Sequence, residues 1–268
     1  TALELDSNLM NEVVDMIDKS DNTYFVGVGT TFYVAKFSKY LFSSLADLFI
    51  PALSSDEFVS LAKVDSKSLV LTVSQSGETF DTIRALKFAK SKGAKTAAVV
   101  NVMGSSISRL VDKVILQGSG PEICVISTKA AFAQMITLTL LALKLSLKKK
   151  KIKRREYDAS IAALGELPEI IQNILNERSG FIHRIASNYS KVKNWLYLGR
   201  GIYYPIALES ALKMKEVAYV HAEGMPGGFL KHGTLAMIDQ DVNSIVFIPP
   251  RSDKELYEST IHSVEEIR

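Results

Sequence analysis

The first half of the chain alternates short apolar runs with longer segments of helical spacing. Four apolar runs have the length and the β-branched content of buried strands: residues 24–28, 69–73, 96–100 and 114–116. Three further segments repeat apolar side chains at the helical period: residues 33–45, 81–92 and 130–147. Strands that alternate with helices predict an α/β fold, in which a parallel sheet carries helices on both faces.

A basic run separates this half from a second one. It holds seven positive charges in a chain whose net charge is only +3: Lys148, Lys149, Lys150, Lys151, Lys153, Arg154 and Arg155. No aromatic side chains are interleaved with them to stack on bases, so the run predicts a solvated linker and no nucleic-acid partner. We therefore predict a first domain over residues 1–147, a basic linker and connecting helix over 148–190 and a second domain over 191–268. The connecting helix is expected to break at Gly165 and Pro168.

The second half repeats a pattern of the first. Residues 27–35 and 199–207 align at a constant offset of 172, and each follows an apolar run and precedes a helical segment. A duplicated α/β unit explains this repeat. Both segments contain G-x-G, but Phe32 and Tyr204 stand where a dinucleotide site would have its third glycine. The glycines are therefore interpreted as tight strand-to-helix turns, at which the backbone can approach a ligand or a neighbouring chain.

The most informative segment is the turn at residues 74–82, between an apolar run and a helical segment. Its hydroxyl and carboxamide side chains are those of Ser74, Gln75, Ser76 and Thr79. Unpaired N–H groups at a helix N-terminus attract an anion, and these side chains add donors. The alternative is that Ser76 or Thr79 only caps the helix, with Glu78 assisting in the first turn. The turn lacks the lysine of a nucleotide-binding P-loop, which favours a monophosphate.

Composition narrows the class of protein. With 47% hydrophobic residues, the chain has the composition of a soluble globular protein. Residues 130–143 form an apolar stretch shorter than the roughly 20 residues of a membrane span, which predicts a buried helix. The first six residues do not have the pattern of a secretory signal. The single cysteine, Cys124, excludes an internal disulfide framework, fits a reducing cytoplasm and is expected to be a small buried residue.

Charged residues in the second half have ordinary interpretations when taken alone. Glu209, Lys213 and Glu216 share one side of a predicted helix, as a solvent-facing row of ion pairs would. His221 and Glu223 resemble a zinc-binding H-x-E fragment, but no P-C-x-x-C follows. We expect no metal and no cofactor.

Three segments, in order along the chain, together resemble the isomerase part of the glutamine:fructose-6-phosphate aminotransferase (glucosamine-6-phosphate synthase) family: residues 74–82, 118–130 and 207–233. The resemblance covers nearly the whole chain. It implies an α/β fold of two flavodoxin-like sugar isomerase domains, each a parallel sheet with helices on both faces. Before Arg268 the second sheet is short of strands, so we expect the second domain to be truncated.

The resemblance also implies roles for ten residues. The phosphate of a hexose 6-phosphate would be bound by Ser74, Gln75, Ser76 and Thr79, and the rest of the substrate by Thr31, Ser127 and the backbone of Val125. Glu216 would move a proton between C1 and C2, with Lys213 beside it. His232, from a neighbouring subunit, would help to open the sugar ring, which implies a homodimer with shared active sites.

The family's activity implies further parts and leaves alternatives. A glutaminase domain is expected in the full-length protein as the source of ammonia, and the family's imine-forming lysine belongs to a C-terminal tail with no counterpart before Arg268. The expected reaction converts fructose 6-phosphate and ammonia to glucosamine 6-phosphate in the cytoplasm. One alternative is a stand-alone deaminase or deglycase of amino-sugar phosphates, because the same proton transfer serves both directions. Another is a noncatalytic sugar-phosphate sensor, against which Glu216 and His232 argue.

Overall fold

The chain folds into two units, the first ending at Tyr157 and the second beginning at Asp158. The structure is a computed structural model that describes residues 5–239 and 241–267. The described helices of the first unit are α1 (Ser7–Lys19), α2 (Thr30–Ala46), α3 (Phe58–Leu61), α4 (Phe80–Ser91), α5 (Ser106–Leu110) and α6 (Thr128–Lys148). Its strands are β1 (Asn22–Gly27), β2 (Ala52–Ser54), β3 (Ser68–Ser74), β4 (Lys95–Val100) and β5 (Lys113–Leu116).

The first sheet is parallel throughout, with the strand order β2-β1-β3-β4-β5. This is the flavodoxin-like order, so the predicted α/β fold class is confirmed. The sequence pattern identified four of these strands. It missed β2, a three-residue strand that is too short to show a period.

Helices cover both faces of this sheet. Neighbouring side chains of β1 point to opposite faces and contact different helices. The ring of Phe25 meets Phe42 of α2, with centroids 5.1 Å apart. The ring of Tyr24 meets Phe58 of α3 at 5.7 Å, and Phe58 in turn meets Phe88 of α4 at 6.3 Å. On the α2 side, α2 packs on α6, and α6 packs on α1. The apolar core is therefore split into two layers by the sheet.

The strand order reverses between β1 and β3. From β1 the chain crosses to β2 on one side, and it returns to β3 on the other. The helices that follow these two strands, α2 and α4, lie on opposite faces. Parallel α/β sheets bind ligands in the crevice that such a reversal opens at the carboxyl ends of the strands. Every residue of β3 is buried, so the turn at its carboxyl end is anchored to the core of the unit.

The duplication predicted from the sequence is visible in the glycine turns. A Cβ atom on Gly27 would lie 2.7 Å from the carbonyl oxygen of Thr31, and one on Gly199 would lie 2.8 Å from the backbone nitrogen of Tyr204. Gly29 has a φ of +59° and its counterpart Gly201 a φ of +54°. Each strand therefore runs so close to the following helix that only glycine fits.

The second unit repeats the first architecture with fewer described strands. Its described strands and long helices are α7 (Arg154–Asn188, which begins in the first unit), β6 (Asn194–Gly199), α8 (Tyr203–Ala218), β7 (His221–Pro226), β8 (Val242–Val246) and α9 (Lys254–Ile267). The sheet is parallel, with the order β7-β6-β8, which matches β2-β1-β3 of the first unit. Within residues 158–239 and 241–267 no counterpart of β4 or β5 follows, in agreement with the expected shortage of strands.

One expectation about the connecting region was wrong. The helix α7 passes through Gly165 and Pro168 without a break. A proline removes one hydrogen bond, and the turns on either side can still hold a helix of this length together. The basic run is mostly exposed, as a solvated linker would be, and two of its lysines pair with surface carboxylates: Lys148 with Asp15 at 2.6 Å, and Lys151 with Asp47 at 2.7 Å.

The helix α6 is long and apolar enough to cross a membrane by length and composition alone. In the structure 61% of its most apolar window is buried, and α6 packs against α1 and α2. It is therefore the buried helix that the sequence predicted.

Candidate functional site

The turn after β3 gathers hydroxyl groups at the carboxyl edge of the first sheet. The Oγ atom of Ser74 accepts a hydrogen bond from the backbone nitrogen of Gly77 at 3.0 Å and lies 3.4 Å from Oγ1 of Thr79. The Oγ atom of Ser76 accepts one from the backbone nitrogen of Glu78 at 3.2 Å. No hydrogen bond among the described residues uses the hydroxyl hydrogen of Ser76. The turn therefore has donor capacity left for an anion.

The capping alternative does not describe this turn. Thr79 is the N-cap residue of α4, but its side chain makes no capping hydrogen bond. The carboxylate of Glu78 turns away to accept a hydrogen bond from the backbone nitrogen of Ser106 at 2.7 Å. Hydrogen bonds from the hydroxyl and the backbone of Ser106, and the charge of Arg109, lower the pKa of Glu78. The negative charge of Glu78 is thus held at α5, and the N-terminus of α4 keeps its N–H groups for another acceptor.

Gln75 and Thr31 also lie at the carboxyl edge of the first sheet. Gln75 is half-buried, and its carbonyl oxygen accepts a hydrogen bond from the backbone nitrogen of Asn101 at 3.2 Å. Thr31 lies at the carboxyl end of β1, the strand beside β3. Its Oγ1 atom accepts a hydrogen bond from the Val28 nitrogen and donates one to the Val28 carbonyl oxygen, both at 3.0 Å. The Thr31 hydroxyl thus fixes the glycine turn and retains one lone pair.

The segment 118–127 follows β5 and carries Val125 and Ser127. Val125 is 88% exposed, and Ser127 is the N-cap of α6 in the left-handed conformation, with no capping bond from its side chain. The carboxylate of Glu122 accepts the Ala130 nitrogen at 3.2 Å and caps α6 in its place. Cys124 is exposed, so the expectation that it is buried was wrong: this segment lies on the surface.

Sequence reasoning missed a group of buried amides beneath this segment. Asn101 and Gln117 directly follow β4 and β5, and Gln134 lies inside α6. Gln117 and Gln134 are fully or almost fully buried. The sequence could have indicated Asn101 and Gln117, because each is a polar residue that immediately follows an apolar run. Such positions lie at the edge where parallel sheets bind ligands.

In the second unit α8 brings three charged side chains together. The ammonium nitrogen of Lys213 lies 2.6 Å from Oε2 of Glu216 and 3.4 Å from Oε1 of Glu209. The side chains of Lys213 and Glu209 are only 17% and 13% exposed. The interpretation as a solvent-facing row is therefore wrong for these two residues, while Glu216 is half-buried. Lys215 is exposed, so its charge stays in water.

His232 ends a 3₁₀ segment, Gly227–His232, and is exposed. This segment is tied to α9 at both ends. Lys231 pairs with Glu266 at 2.6 Å, and Ser263 of α9 donates a hydrogen bond to the Gly227 carbonyl oxygen at 3.4 Å. His232 is thus presented outward on a fixed backbone.

The other histidines and the acidic residues do not form a further site. His183, His221 and His262 are exposed. Within residues 5–239 and 241–267, no three His, Cys, Asp or Glu side chains are placed to hold a metal ion.

Comparison with known proteins gives a consistent family. The SIS domain profile matches residues 16–144 and 188–266. The chain is 43% identical to the glutamine–fructose-6-phosphate aminotransferase (isomerizing) of Methanococcus maripaludis over 94% of this chain and 41% of that protein. It is 39% identical to the enzyme of the same name from Methanocaldococcus jannaschii over 97% of this chain and 23% of that protein. The chain thus spans less than half the length of these curated relatives.

A solved structure is similar over most of its own length. It is the C-terminal domain of glucosamine-fructose-6-phosphate aminotransferase from Francisella tularensis, with a TM-score of 0.89 and 30% identity. The match covers 96% of this chain and 72% of that domain.

Proposed function

Because the chain belongs to the SIS domain family, we propose that it is the sugar-phosphate isomerase part of a glutamine-dependent aminotransferase. The reaction converts fructose 6-phosphate and ammonia to glucosamine 6-phosphate and water. The observation that carries this proposal is the hydroxyl-rich turn at the strand-order reversal of the first sheet. The enzyme names of the Methanococcus and Francisella relatives support the choice of substrate.

The turn after β3 binds the phosphate group in this proposal. The hydroxyls of Ser74, Ser76 and Thr79 and the amide of Gln75 donate to its oxygens, and the N-terminus of α4 adds N–H groups and its dipole. Hydrogen bonds to a charged acceptor are about twice as strong as neutral ones. This supports a site in which most of the affinity comes from the phosphate.

Three positions contact the rest of the substrate. We assign the Thr31 lone pair, the Val125 backbone and the Ser127 hydroxyl to this role. Val125 is exposed and Ser127 makes no capping bond, so both groups are available to a ligand. The residue types fit a polyol, which needs donors and acceptors in equal measure.

Glu216 is the proposed base. It takes a proton from C1 of the nitrogen-bearing open-chain sugar and returns one to C2, so that the 2-ketose skeleton becomes a 2-amino aldose. Lys213 contacts the Glu216 carboxylate and also Glu209, and it therefore holds the base in place. A sugar-phosphate sensor would need a phosphate site but no base. The pair of Glu216 and Lys213 therefore favours an enzyme.

We assign ring opening to His232 of a neighbouring subunit. Its exposure, on a backbone anchored to α9, suits a residue that is presented to another chain. The protein would then work as a homodimer with shared active sites. Ammonia would come from a glutaminase domain in the full-length protein. The protein would act in the cytoplasm.

Calorimetry on this chain tests the proposal with three ligands: inorganic phosphate, fructose 6-phosphate and fructose. The first two are expected to bind, and fructose is expected not to. Exchange of the C1 proton of fructose 6-phosphate with deuterated solvent, followed by NMR on the full-length protein in the presence of ammonia, then tests the base. Tight binding of fructose, or no binding of either phosphate, would overturn the proposed function.

A further inference from the structure

Four hydrogen bonds join α6 to the segment 118–127 through two buried and two half-buried side chains. The Nε2 atom of Gln134 donates to Oε1 of Gln117 at 2.8 Å, and Nε2 of Gln117 donates to Oγ of Ser119 at 2.9 Å. The hydroxyl of Ser119 donates to Oδ1 of Asn101 at 2.9 Å. The Nδ2 atom of Asn101 donates to the carbonyl oxygen of Gly120 at 2.7 Å. We call these four side chains the amide relay.

All four hydrogen bonds run in the same direction. An amide NH₂ group can only donate and an amide oxygen can only accept, so each side chain has its orientation fixed by the one before it. Ser119 is the single member that accepts and donates through one atom. A hydrogen-bonded chain of this kind is stronger than its separate bonds, because each bond polarises the next.

The relay ends where the segment 118–127 leaves the sheet. Gln117 and Gln134 are buried, and Asn101 and Gln117 extend from the ends of β4 and β5. Beyond Gly120, the Lys129 ammonium donates to the Pro121 carbonyl oxygen, and Glu122 caps α6. The segment carries apolar side chains that are almost fully exposed, Ile123 and Val125, so burial of its own side chains does not fix it. Its position therefore depends on these polar anchors.

We propose that Asn101, Gln117, Ser119 and Gln134 are positioning residues that hold the segment 118–127 against the sugar end of the bound phosphosugar. This inference rests on the proposed function, since Val125 and Ser127 contact the sugar in it. The side-chain bonds of the relay do not reach the turn at residues 74–79. Asn101 meets that turn only through its backbone nitrogen, which donates to the Gln75 carbonyl oxygen and is kept when the side chains are changed. The relay therefore governs the affinity for the sugar part of the ligand and leaves the affinity for phosphate unchanged.

Substitutions at Ser119 test the relay at its centre. Ser119→Ala removes the only atom that passes the hydrogen bond on to Asn101, whereas Ser119→Thr keeps a hydroxyl at the same place. A lost neutral hydrogen bond typically weakens an interaction about fivefold. We expect Ser119→Ala to bind fructose 6-phosphate about fivefold more weakly, Ser119→Thr to restore most of this loss, and both to bind inorganic phosphate like the unchanged chain.

Asn101→Asp tests the end of the relay without changing its size. A carboxylate still accepts from Ser119 but cannot donate to the Gly120 carbonyl oxygen. We expect the same selective loss of fructose 6-phosphate affinity, and about fivefold faster hydrogen exchange at the Ser127 and Ala130 amides, which donate to Cys124 and Glu122 of the segment. Thermal unfolding of each variant shows whether the chain is folded.

The ligand series separates this inference from the function on which it rests. If the unchanged chain binds neither phosphate nor fructose 6-phosphate, the proposed function is wrong. If both ligands bind and folded Ser119→Ala and Asn101→Asp variants keep the ratio of the two affinities, the relay does not position the segment. A parallel loss of both affinities would equally overturn it, because that result indicates a general structural role.

Discussion

A Cβ atom on Gly77 would lie 2.5 Å from the Cβ atom of Ser105 and still closer to its hydroxyl oxygen. Gly77 also has a φ of +68°, and its carbonyl oxygen accepts a hydrogen bond from the Ile107 nitrogen at 2.9 Å. The turn at residues 74–79 is therefore pressed against the start of α5, and no side chain fits between them. Its hydroxyls keep their positions because the backbone has no room to move.

Gly77→Ala should for this reason damage both stability and binding. The left-handed backbone and the clash together are expected to cost about 1–3 kcal/mol of unfolding free energy, measured in urea, and more than tenfold in phosphate affinity. Gly104→Ala is the matched control. Gly104 has a φ of +78°, but a Cβ atom there meets no atom within 4 Å. It should lose only the smaller conformational part of the stability and bind phosphate normally; equal effects of the two variants would contradict the packing argument.

Removing a hydroxyl from the turn should weaken phosphate binding directly. Thr79→Val keeps the shape of the side chain and deletes its donor. A hydrogen bond to a charged group is worth about 1.5–3 kcal/mol, so affinity for inorganic phosphate should fall roughly 10- to 150-fold in calorimetry. Ser91→Ala, at the exposed far end of the same helix, serves as the control and should not change it. Unchanged affinity of Thr79→Val would remove the phosphate assignment from this turn.

Glu216→Gln separates binding from chemistry. Fructose 6-phosphate should bind within about twofold of the unchanged affinity, because the substitution leaves the phosphate turn intact. Proton exchange at C1 should fall below detection, since an amide cannot act as the base; the expected loss is at least about 100-fold. Glu223→Gln removes an exposed carboxylate of β7 and should exchange normally. Continued exchange in Glu216→Gln would place the base elsewhere.

Shared active sites make a quantitative prediction for mixed subunits of the full-length protein. Neither Glu216→Gln nor His232→Ala should turn over alone. In a random equal mixture half of the dimers are mixed, and each mixed dimer has one intact site out of two. Activity should therefore recover to about a quarter of the unchanged level. Recovery is expected only after subunit exchange, and none after prolonged mixing would show that His232 acts within its own chain.

Asp112 links the stability of the first unit to pH. Burial alone would raise the pKa of Asp112, but the Thr96 backbone N–H, the Lys90 ammonium and the Thr96 hydroxyl outweigh it and lower the pKa. Since the folded pKa lies below the unfolded value of about 3.9, the stabilisation is complete above that pH and is lost as the pH falls through the folded pKa.

The test is Asp112→Asn. At pH 7 the substitution should cost about 1 kcal/mol, a value kept low because Asp112 is partly exposed, or roughly 2–4 °C in Tm. The difference in Tm should begin to shrink as the pH falls below about 4 and should vanish below the folded pKa of Asp112. A difference in Tm that stays constant down to pH 2.5 would show that the Asp112 charge is not its source.

What the sequence predicted correctly depends on local patterns. Apolar runs identified four strands of the first sheet, because each run lies within a few consecutive residues. Lys213 and Glu216, three residues apart, form an ion pair, while phosphate binding by the turn at residues 74–79 stays a prediction. The amide relay could not be predicted, because its partners Gln117 and Gln134 are 17 residues apart and meet only through the packing of α6 on the sheet. Cys124 was wrongly expected to be buried because its apolar neighbours suggested a core, whereas polar anchors hold that segment at the surface.

The repeated glycine turns have a consequence for how much ligand one chain can hold. Gly27 and Gly199 occupy equivalent places, and the offset of 172 places Tyr203 opposite Thr31. The pairing of β8 with β6 raises the offset to 174 at the next strand, which places residues 248–253 opposite residues 74–79. The second copy has Pro249 and Pro250 in place of Gln75 and Ser76, and the carboxylate of Asp253 in place of the Thr79 hydroxyl would repel an anion. A titration with phosphate should therefore saturate at one equivalent per chain, even though the fold that holds it is present twice.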